Sequence, residues 1–214
     1  NLRYNLHPRW YLNSEIHIRR ANGFSNWQQF VARPSVHFVL SKYADFSVGY
    51  SYILSYPYGN QPIPLTTPEH NIWEQAILAH KMGKVGFKHR YRFEQRFQGV
   101  RKQDGEGIYS IDGFELAERF RYRLTLIVPV ALEGRWFVSL FDEVFVRQSN
   151  FVPSAFDQNW AYLGVGFKLN TRGTIKLGYL DAFIRKSDGV HFEHNPTVQF
   201  SIGYKLGKLP ESVN

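Results

Sequence analysis

Ser35 and His37 are the side chains whose types and spacing could support nucleophilic catalysis. They lie two residues apart in an alternating segment, and residues two apart on a β-strand share one face. A serine–histidine pair also needs an acid that orients the histidine and donors that stabilise an oxyanion. Glu15, in the preceding alternating segment, is a candidate for that acid. Since no hydrolase motif surrounds these residues, the sequence favours hydrogen-bonded polar side chains over catalysis, and we expect a non-enzymatic protein.

A second candidate for chemistry is a repeated alternation of charged and aromatic residues. It fills residues 89–97 and returns in 119–124. At strand spacing, all the charged side chains of one segment lie on one face and most aromatic ones on the other. A confined row of guanidinium groups would attract anions. The charged positions are Arg90, Arg92, Glu94, Arg96, Arg119, Arg121 and Arg123.

Other chemistries find less support in the sequence. His191, Glu193 and His194 are metal-ligand types, but their spacing is not that of a helical zinc motif, and we expect no metal and no cofactor. The chain has no cysteine, which excludes a disulfide scaffold and a cysteine-based metal site. The net charge of +8 suggests nucleic acid as a partner. The arginines follow strand spacing instead of forming one patch, so we expect no nucleic-acid binding.

Eleven alternating segments could position these side chains, and helical periodicity is absent. The segments cover residues 2–6, 10–19, 28–40, 46–54, 72–81, 85–97, 116–128, 136–146, 160–169, 175–184 and 197–205. Short turns at 7–9, 42–44, 83–84, 131–135 and 170–174 alternate with longer loops at 20–27, 55–71, 98–115, 147–159 and 185–196. Such alternation of short turns and long loops is typical of outer-membrane barrels.

The direction of the charged face decides the fold class. A soluble sheet would expose its charges to water, whereas a membrane barrel turns them toward its lumen. Each Arg or Lys facing lipid at mid-membrane costs about 2–4 kcal/mol, so we assign the charged face to the lumen. The sequence predicts an all-β, antiparallel up-and-down transmembrane barrel of about 10–12 strands, one domain over residues 1–214. A soluble lipid-binding barrel is the alternative.

The odd number of segments leaves the closure of the barrel open. Bacterial single-chain barrels usually have an even number of strands. An additional strand could precede Asn1, or residues 1–6 could lie outside a ten-stranded wall. A parallel pairing of the first and last strands is the third possibility.

Several segments resemble the domain of unknown function 2490 family, which consists of outer-membrane proteins of Gram-negative bacteria. The resemblance rests on residues 89–94, 119–124 with Pro129, 142–145, 156–160 and 177–179. The family pattern usually has arginine after the asparagine at 159, where this chain has Trp160. The resemblance implies a barrel in the bacterial outer membrane and implies no activity.

In such a barrel the basic and acidic side chains would share the lumen, and the basic ones would outnumber the acidic ones. We expect a mostly occluded lumen and a structural or binding role in the cell envelope. The alternatives are a narrow anion-preferring pore and a lipid-modifying enzyme using Ser35 and His37. The expected partners are membrane lipid and other outer-membrane proteins, which would bind the long external loops. The predicted lumen set is Glu15, Arg19, Arg33, Glu74, Lys88, Arg90, Arg92, Glu94, Arg96, Arg119, Arg121, Arg123 and Glu143.

Overall fold

Eleven β-strands form one closed barrel in the computed structural model, which describes residues 1–59, 62–148, 156–185 and 190–207. Parts of the predicted long loops, at 60–61, 149–155 and 186–189, lie outside these ranges. The predicted all-β barrel class is confirmed. The strands are β1 (Leu2–His7), β2 (Trp10–Ala21), β3 (Asn26–Ser41), β4 (Ala44–Ser55), β5 (Thr67–Met82), β6 (Val85–Gln103), β7 (Tyr109–Ala131), β8 (Trp136–Gln148), β9 (Phe156–Lys168), β10 (Gly173–Arg185) and β11 (Phe192–Gly207).

The barrel closes through a parallel pair, the third of the possibilities that the sequence left open. Each strand from β1 to β11 runs antiparallel to the next one along the chain. With an odd number of alternating strands, the first and the last run in the same direction. β1 and β11 accordingly pair in parallel, from Leu2 opposite Tyr204 to Asn5 opposite Gly207.

The two ends of the barrel differ in their connections. The short connections 8–9, 42–43, 83–84, 132–135 and 169–172 lie at one end, which we call the turn end; the opposite end is the loop end. The predicted long loop at 98–115 is wrong, because β6 and β7 stay paired as far as Gln103 and Tyr109. Only residues 104–108 connect them. The side chains of this hairpin no longer alternate, so the sequence does not reveal its strands. Its two backbone segments nevertheless remain hydrogen-bonded to each other, which extends the hairpin.

Apolar side chains cover the outside of the barrel, and charged ones fill its inside. Ile16, Val198 and Phe200 point outward and are 63%, 73% and 64% exposed. Glu94 and Glu143 point inward and are 0% exposed. This arrangement is the reverse of a soluble protein, in which carboxylates are almost never fully buried. In the described ranges no helix is long and apolar enough to cross a membrane.

A glycine in β4 makes room for the large aromatic side chain that positions part of the lumen. The indole of Trp73 lies close to Gly49, where an added Cβ atom would be 2.2 Å from its Cζ2 atom. The indole Nε1 donates a hydrogen bond to the Ser51 hydroxyl at 3.0 Å. The guanidinium carbon of Arg92 lies over the indole ring, 3.9 Å from its centre. Because these groups are stacked, the wall at Gly49 determines how far Arg92 reaches into the lumen.

Candidate functional site

Two fully buried carboxylates organise the charged interior. Glu143 accepts hydrogen bonds from Arg90 and, at 2.8 Å each, from the Nε atoms of Arg121 and Arg123. Glu94 accepts one from Nη1 of Arg121 at 2.6 Å, so this arginine joins both carboxylates. Removing a carboxylate from water is expensive unless hydrogen bonds from cations replace its hydration. Here several guanidinium groups supply those bonds.

The ion pairs continue toward the neighbouring strands. Arg119 donates to Glu94 from Nε at 2.8 Å and from Nη2 at 2.6 Å, and its Nη1 lies 3.5 Å from Asp157. Arg96 forms a two-point pair with Glu69, with both distances 2.8 Å. Glu69 and Asp157 are not in the predicted lumen set, because both lie in segments predicted to be loops. We call these ion-paired side chains the arginine network: Glu69, Arg90, Glu94, Arg96, Arg119, Arg121, Arg123, Glu143 and Asp157.

Aromatic rings on the inner wall pack against the network. Phe145, 1% exposed, has the guanidinium carbon of Arg121 4.2 Å from its ring centre and that of Arg119 at 5.1 Å. The guanidinium carbon of Arg123 lies 3.9 Å from the ring centre of Phe141. Guanidinium groups bind aromatic faces favourably when water is excluded. These rings therefore fill the space between the ion pairs.

One contact crosses the barrel from wall to wall. The guanidinium carbon of Arg19 in β2 lies 5.2 Å from the ring centre of Trp160 in β9. Three strands, β1, β11 and β10, separate β2 from β9 around the wall. Side chains from distant strands can meet only through the lumen. Arg19 and Trp160 therefore span it at the level where Arg121 also approaches Trp160, at 5.8 Å.

A cavity of about 300 Å³ extends from the network toward the turn end. Arg3, Arg172 and Lys205 line it on one side, and Ser35 and His37 on the other. Solvent reaches this part of the lumen, since Lys205 is exposed. We call this cavity the basic cup.

Lys88 extends the positive field of the cup. It belongs to the inward face of β6, two residues before Arg90, and its side chain is exposed within the lumen. It interacts electrostatically with Lys205 and Arg3, and also with Asp45. Lysines that approach one another in a confined volume raise the local concentration of anions. The cup therefore has the charge of an anion-binding site.

Ser35 and His37 face the cup and form a hydrogen-bonded row with a third residue, Asp45. The Ser35 hydroxyl lies 3.1 Å from His37 Nε2, and His37 Nδ1 lies 2.8 Å from Asp45 Oδ1. The other carboxylate oxygen of Asp45 accepts a hydrogen bond from the Tyr11 hydroxyl at 2.8 Å. The Tyr11 ring stacks on His37 with 4.3 Å between centres. Ser35 and His37 are each 6% exposed, so packing holds them in this geometry.

Two sequence-based assignments are wrong. Glu15 is not the acid that orients His37; it contacts His17 at 3.2 Å and Arg33 at 3.3 Å instead. Glu74 does not face the lumen but lies exposed on the outside of β5, and Gln75 takes the inward position. The inward face of β5 includes the large aromatic Trp73. An aromatic residue was expected to face outward, so the two faces of β5 were assigned the wrong way round.

The other members of the predicted lumen set lie on the inward side of their strands, and no metal site accompanies them. Arg33 donates a hydrogen bond to the Ser51 hydroxyl at 2.9 Å. Arg92 donates to Gln75 Oε1 from Nε at 3.0 Å and from Nη2 at 2.6 Å. Across the described residues, no three His, Cys, Asp or Glu side chains come close enough to hold a metal ion.

The family comparison agrees with the resemblance seen in the sequence. An uncharacterised protein of Methylorubrum extorquens is 24% identical over 195 residues, which cover 89% of this chain and 79% of that protein. Among solved structures, the NanC porin matches with a TM-score of 0.49 and 9% identity, over 93% of this chain and 95% of that one. The model of the family described as "Protein of unknown function (DUF2490)" matches residues 1–193. The chain therefore belongs to the DUF2490 family.

Proposed function

We propose that this protein is a bacterial outer-membrane barrel whose lumen is closed by the arginine network and whose basic cup binds an anion. Its role is that of a structural or binding component of the cell envelope. The observation that carries the proposal is the Arg19–Trp160 contact across the lumen, combined with the complete burial of Glu94 and Glu143.

The outer surface supports the membrane location. Large apolar side chains face outward on strands all around the wall, including Leu12, Leu163 and Leu177. Trp10 and Trp136 follow two of the short turns and are 46% and 41% exposed. Aromatic residues concentrate at membrane–water interfaces in this way. A closed barrel also leaves few unpaired backbone groups facing the hydrocarbon, which is the requirement for crossing it with strands.

The orientation follows from the connections. Outer-membrane barrels have short turns on the periplasmic side and longer loops outside. On this assignment the basic cup opens toward the periplasm, and the network lies between the cup and the cell exterior. An anion bound in the cup would then come from the periplasm or from the inner leaflet.

Electrical recordings test whether the lumen is closed. The folded protein, inserted into a planar lipid bilayer, should give no current above that of the protein-free bilayer. Anion-selective current steps would contradict closure and favour a narrow anion pore. That alternative is favoured by one observation: within the described structure, the buried Nε of Arg90 and Nη1 of Arg92 have no hydrogen-bond acceptor. If the pore exists, Arg121→Glu should change its ion selectivity.

Calorimetry tests the cup. Citrate is a small polyanion, and its binding to the folded protein should produce heat that glycerol, a neutral control, does not. The double variant Lys88→Gln with Lys205→Gln should weaken citrate binding several-fold, because it removes Lys205 from the lining of the cup and Lys88 from the positive field beside it. As a matched control, Lys102→Gln removes an exposed lysine in the β6–β7 hairpin, paired with Asp112 at 2.9 Å. Equal binding by all variants would refute anion binding in the cup.

A further inference from the structure

We propose that Ser35, His37 and Asp45 form a nucleophilic triad that hydrolyses small anionic carboxylic esters in the basic cup. The inference rests on the cup of the proposed function and adds a reaction to it. A serine hydroxyl is a weak nucleophile until a neighbouring base accepts its proton, and the base must be oriented by a third group. All three parts are present here within hydrogen-bond distance.

The hydrogen bonds determine the role of each residue. Asp45 Oδ1, at 2.8 Å, accepts the proton on His37 Nδ1, which leaves Nε2 as an acceptor. The Ser35 hydroxyl lies 3.1 Å from that Nε2. It also lies 3.3 Å from the backbone carbonyl oxygen of Asn13, so its shorter contact is to the base. Asp45 is a positioning residue, and the Tyr11 hydroxyl holds its second oxygen.

The cup also offers a donor for a developing oxyanion. Nη1 of Arg92, a side chain 3% exposed, has no hydrogen-bond acceptor in the described part of the chain; its nearest charged partner is Glu94 Oε1, at 3.8 Å. Arg92 lines the same cavity as Ser35 and His37. Its Nε and Nη2 atoms donate to Gln75, so the guanidinium is held in place, and Nη1 keeps only the long contact to Glu94. A donor that is held in place in advance stabilises a transition-state oxyanion without having to reorganise.

The reaction would proceed in two balanced steps. Ser35 Oγ attacks the ester carbonyl carbon while its proton passes to His37 Nε2, and the oxyanion formed faces the donors of the cup. The bond to the alcohol breaks, and the alcohol leaves with the proton from Nε2. Water then attacks the acyl-serine and gives its proton to Nε2. That proton returns to Ser35 Oγ as the carboxylic acid departs, so nothing is oxidised or reduced.

The cup determines the class of substrate. Arg3, Lys88 and Lys205 favour an ester that carries a carboxylate or phosphate group. The volume of about 300 Å³ lies at the lower limit of ordinary ligand pockets, so a long acyl chain would not fit inside it. We therefore infer a short ester.

A serine-reactive fluorophosphonate, followed by mass spectrometry of the folded protein, tests the nucleophile. The adduct should form on Ser35 and be absent in Ser35→Ala. In His37→Gln its rate should fall at least about 100-fold, the usual contribution of a general base. Ser139→Ala, which removes another buried lumen serine, should react like the wild type. Migration on an unheated gel shows that each variant is folded. No preference for Ser35 over Ser139 in folded protein would overturn the proposal.

Ester turnover tests the substrate class and separates this proposal from the binding function. Mono-para-nitrophenyl glutarate, an anionic ester, should be hydrolysed faster than the neutral para-nitrophenyl butyrate. Asp45→Asn should lower kcat at least about 100-fold with little change in KM, whereas a merely distorted cup would change both. Citrate binding without labelling of Ser35 would refute the triad and leave the cup intact. Labelling of Ser35 with equal turnover of both esters would support the triad and refute the anionic substrate.

Discussion

Removing the negative charge of Glu143 is the strongest test of the charged interior. Glu143→Gln keeps the size of the side chain and removes its charge. In the structure both carboxylate oxygens are used: Oε1 accepts from Arg90 and Arg121, and Oε2 accepts from Arg123. The glutamine amide retains one acceptor oxygen and turns an NH₂ group toward at least one guanidinium. The variant therefore loses hydrogen bonds and places a donor against a donor.

The size of the effect follows from these contacts. A hydrogen bond to a charged group contributes about 1.5–3 kcal/mol. Three arginines share this carboxylate, but one oxygen survives and water or rotamer changes relieve part of the loss. Breaking a buried ion pair typically costs about 3–5 kcal/mol. We expect the free energy of unfolding to fall by about the same amount.

Urea unfolding of the protein in lipid vesicles, followed by tryptophan fluorescence, measures this change. Asp142→Asn is the matched control, because Asp142 is the adjacent residue on the outside of β8 and its partner is the neutral Asn159, at 3.1 Å. The control should stay within about 0.5 kcal/mol of the wild type, as surface substitutions usually do. If Glu143→Gln is no less stable than Asp142→Asn, the carboxylate is not buried among arginines and the network is wrong.

Four further substitutions provide three tests, two of the wall and one of the lumen. Gly49→Val should destabilise the barrel by about 1–3 kcal/mol, because its side chain would overlap Trp73, and a shift in tryptophan emission should accompany the loss. Glu74→Leu should stabilise the barrel in vesicles by roughly 1–2 kcal/mol, since an outward carboxylate is unfavourable beside lipid; a loss of stability would contradict a lipid-facing position. Arg96→Met and Glu69→Gln should show a coupling of about 1–3 kcal/mol in a double-mutant cycle, and additive effects would refute the buried pair.

The sequence predicted most of the wall because alternation is a property of each strand alone. The alternating pattern of residues 89–97 places Arg90, Arg92, Glu94 and Arg96 on one face, whichever strands lie beside this one. The all-β class follows in the same way, whereas the number of strands in the wall stayed open between about ten and twelve. The parallel closure does not follow from alternation, because it depends on which strands meet when the sheet curls.

The acidic partners of the arginines were harder to identify. Asp157 and Glu69 lie at the beginnings of strands, in segments rich in loop residues, where the alternating pattern is short. The register against β6 and β4 places Glu69, whereas Asp157 is the unpaired residue where the register of β9 against β8 shifts. The prediction that Glu74 faces the lumen was wrong for a different reason. Aromatic residues usually face lipid, but the neighbouring Trp73 faces inward, and so Glu74 faces outward.

Asp45 shows where sequence reasoning about the candidate site ends. The spacing of Ser35 and His37 predicted that they share a face, but the orienting acid had to be chosen between the two adjacent strands. Glu15 lies on β2, and Asp45 lies near the start of β4, beside the short turn. The register places Val39 opposite Asp45, two residues beyond His37, so that the carboxylate reaches His37 Nδ1 diagonally. No pattern within a single segment contains that information.

The two halves of the lumen depend on each other through Arg92. The network half is dry and paired, which closes the barrel, whereas the cup must admit water if an ester is to be hydrolysed there. Arg92 lies at the boundary: it is stacked on Trp73 and fastened to Gln75, and its Nη1 has no acceptor. The stack in turn requires Gly49, since any larger residue would displace the indole. Gly49 in the wall thus controls the position of the donor in the cup, and a substitution there should affect ester turnover as well as stability.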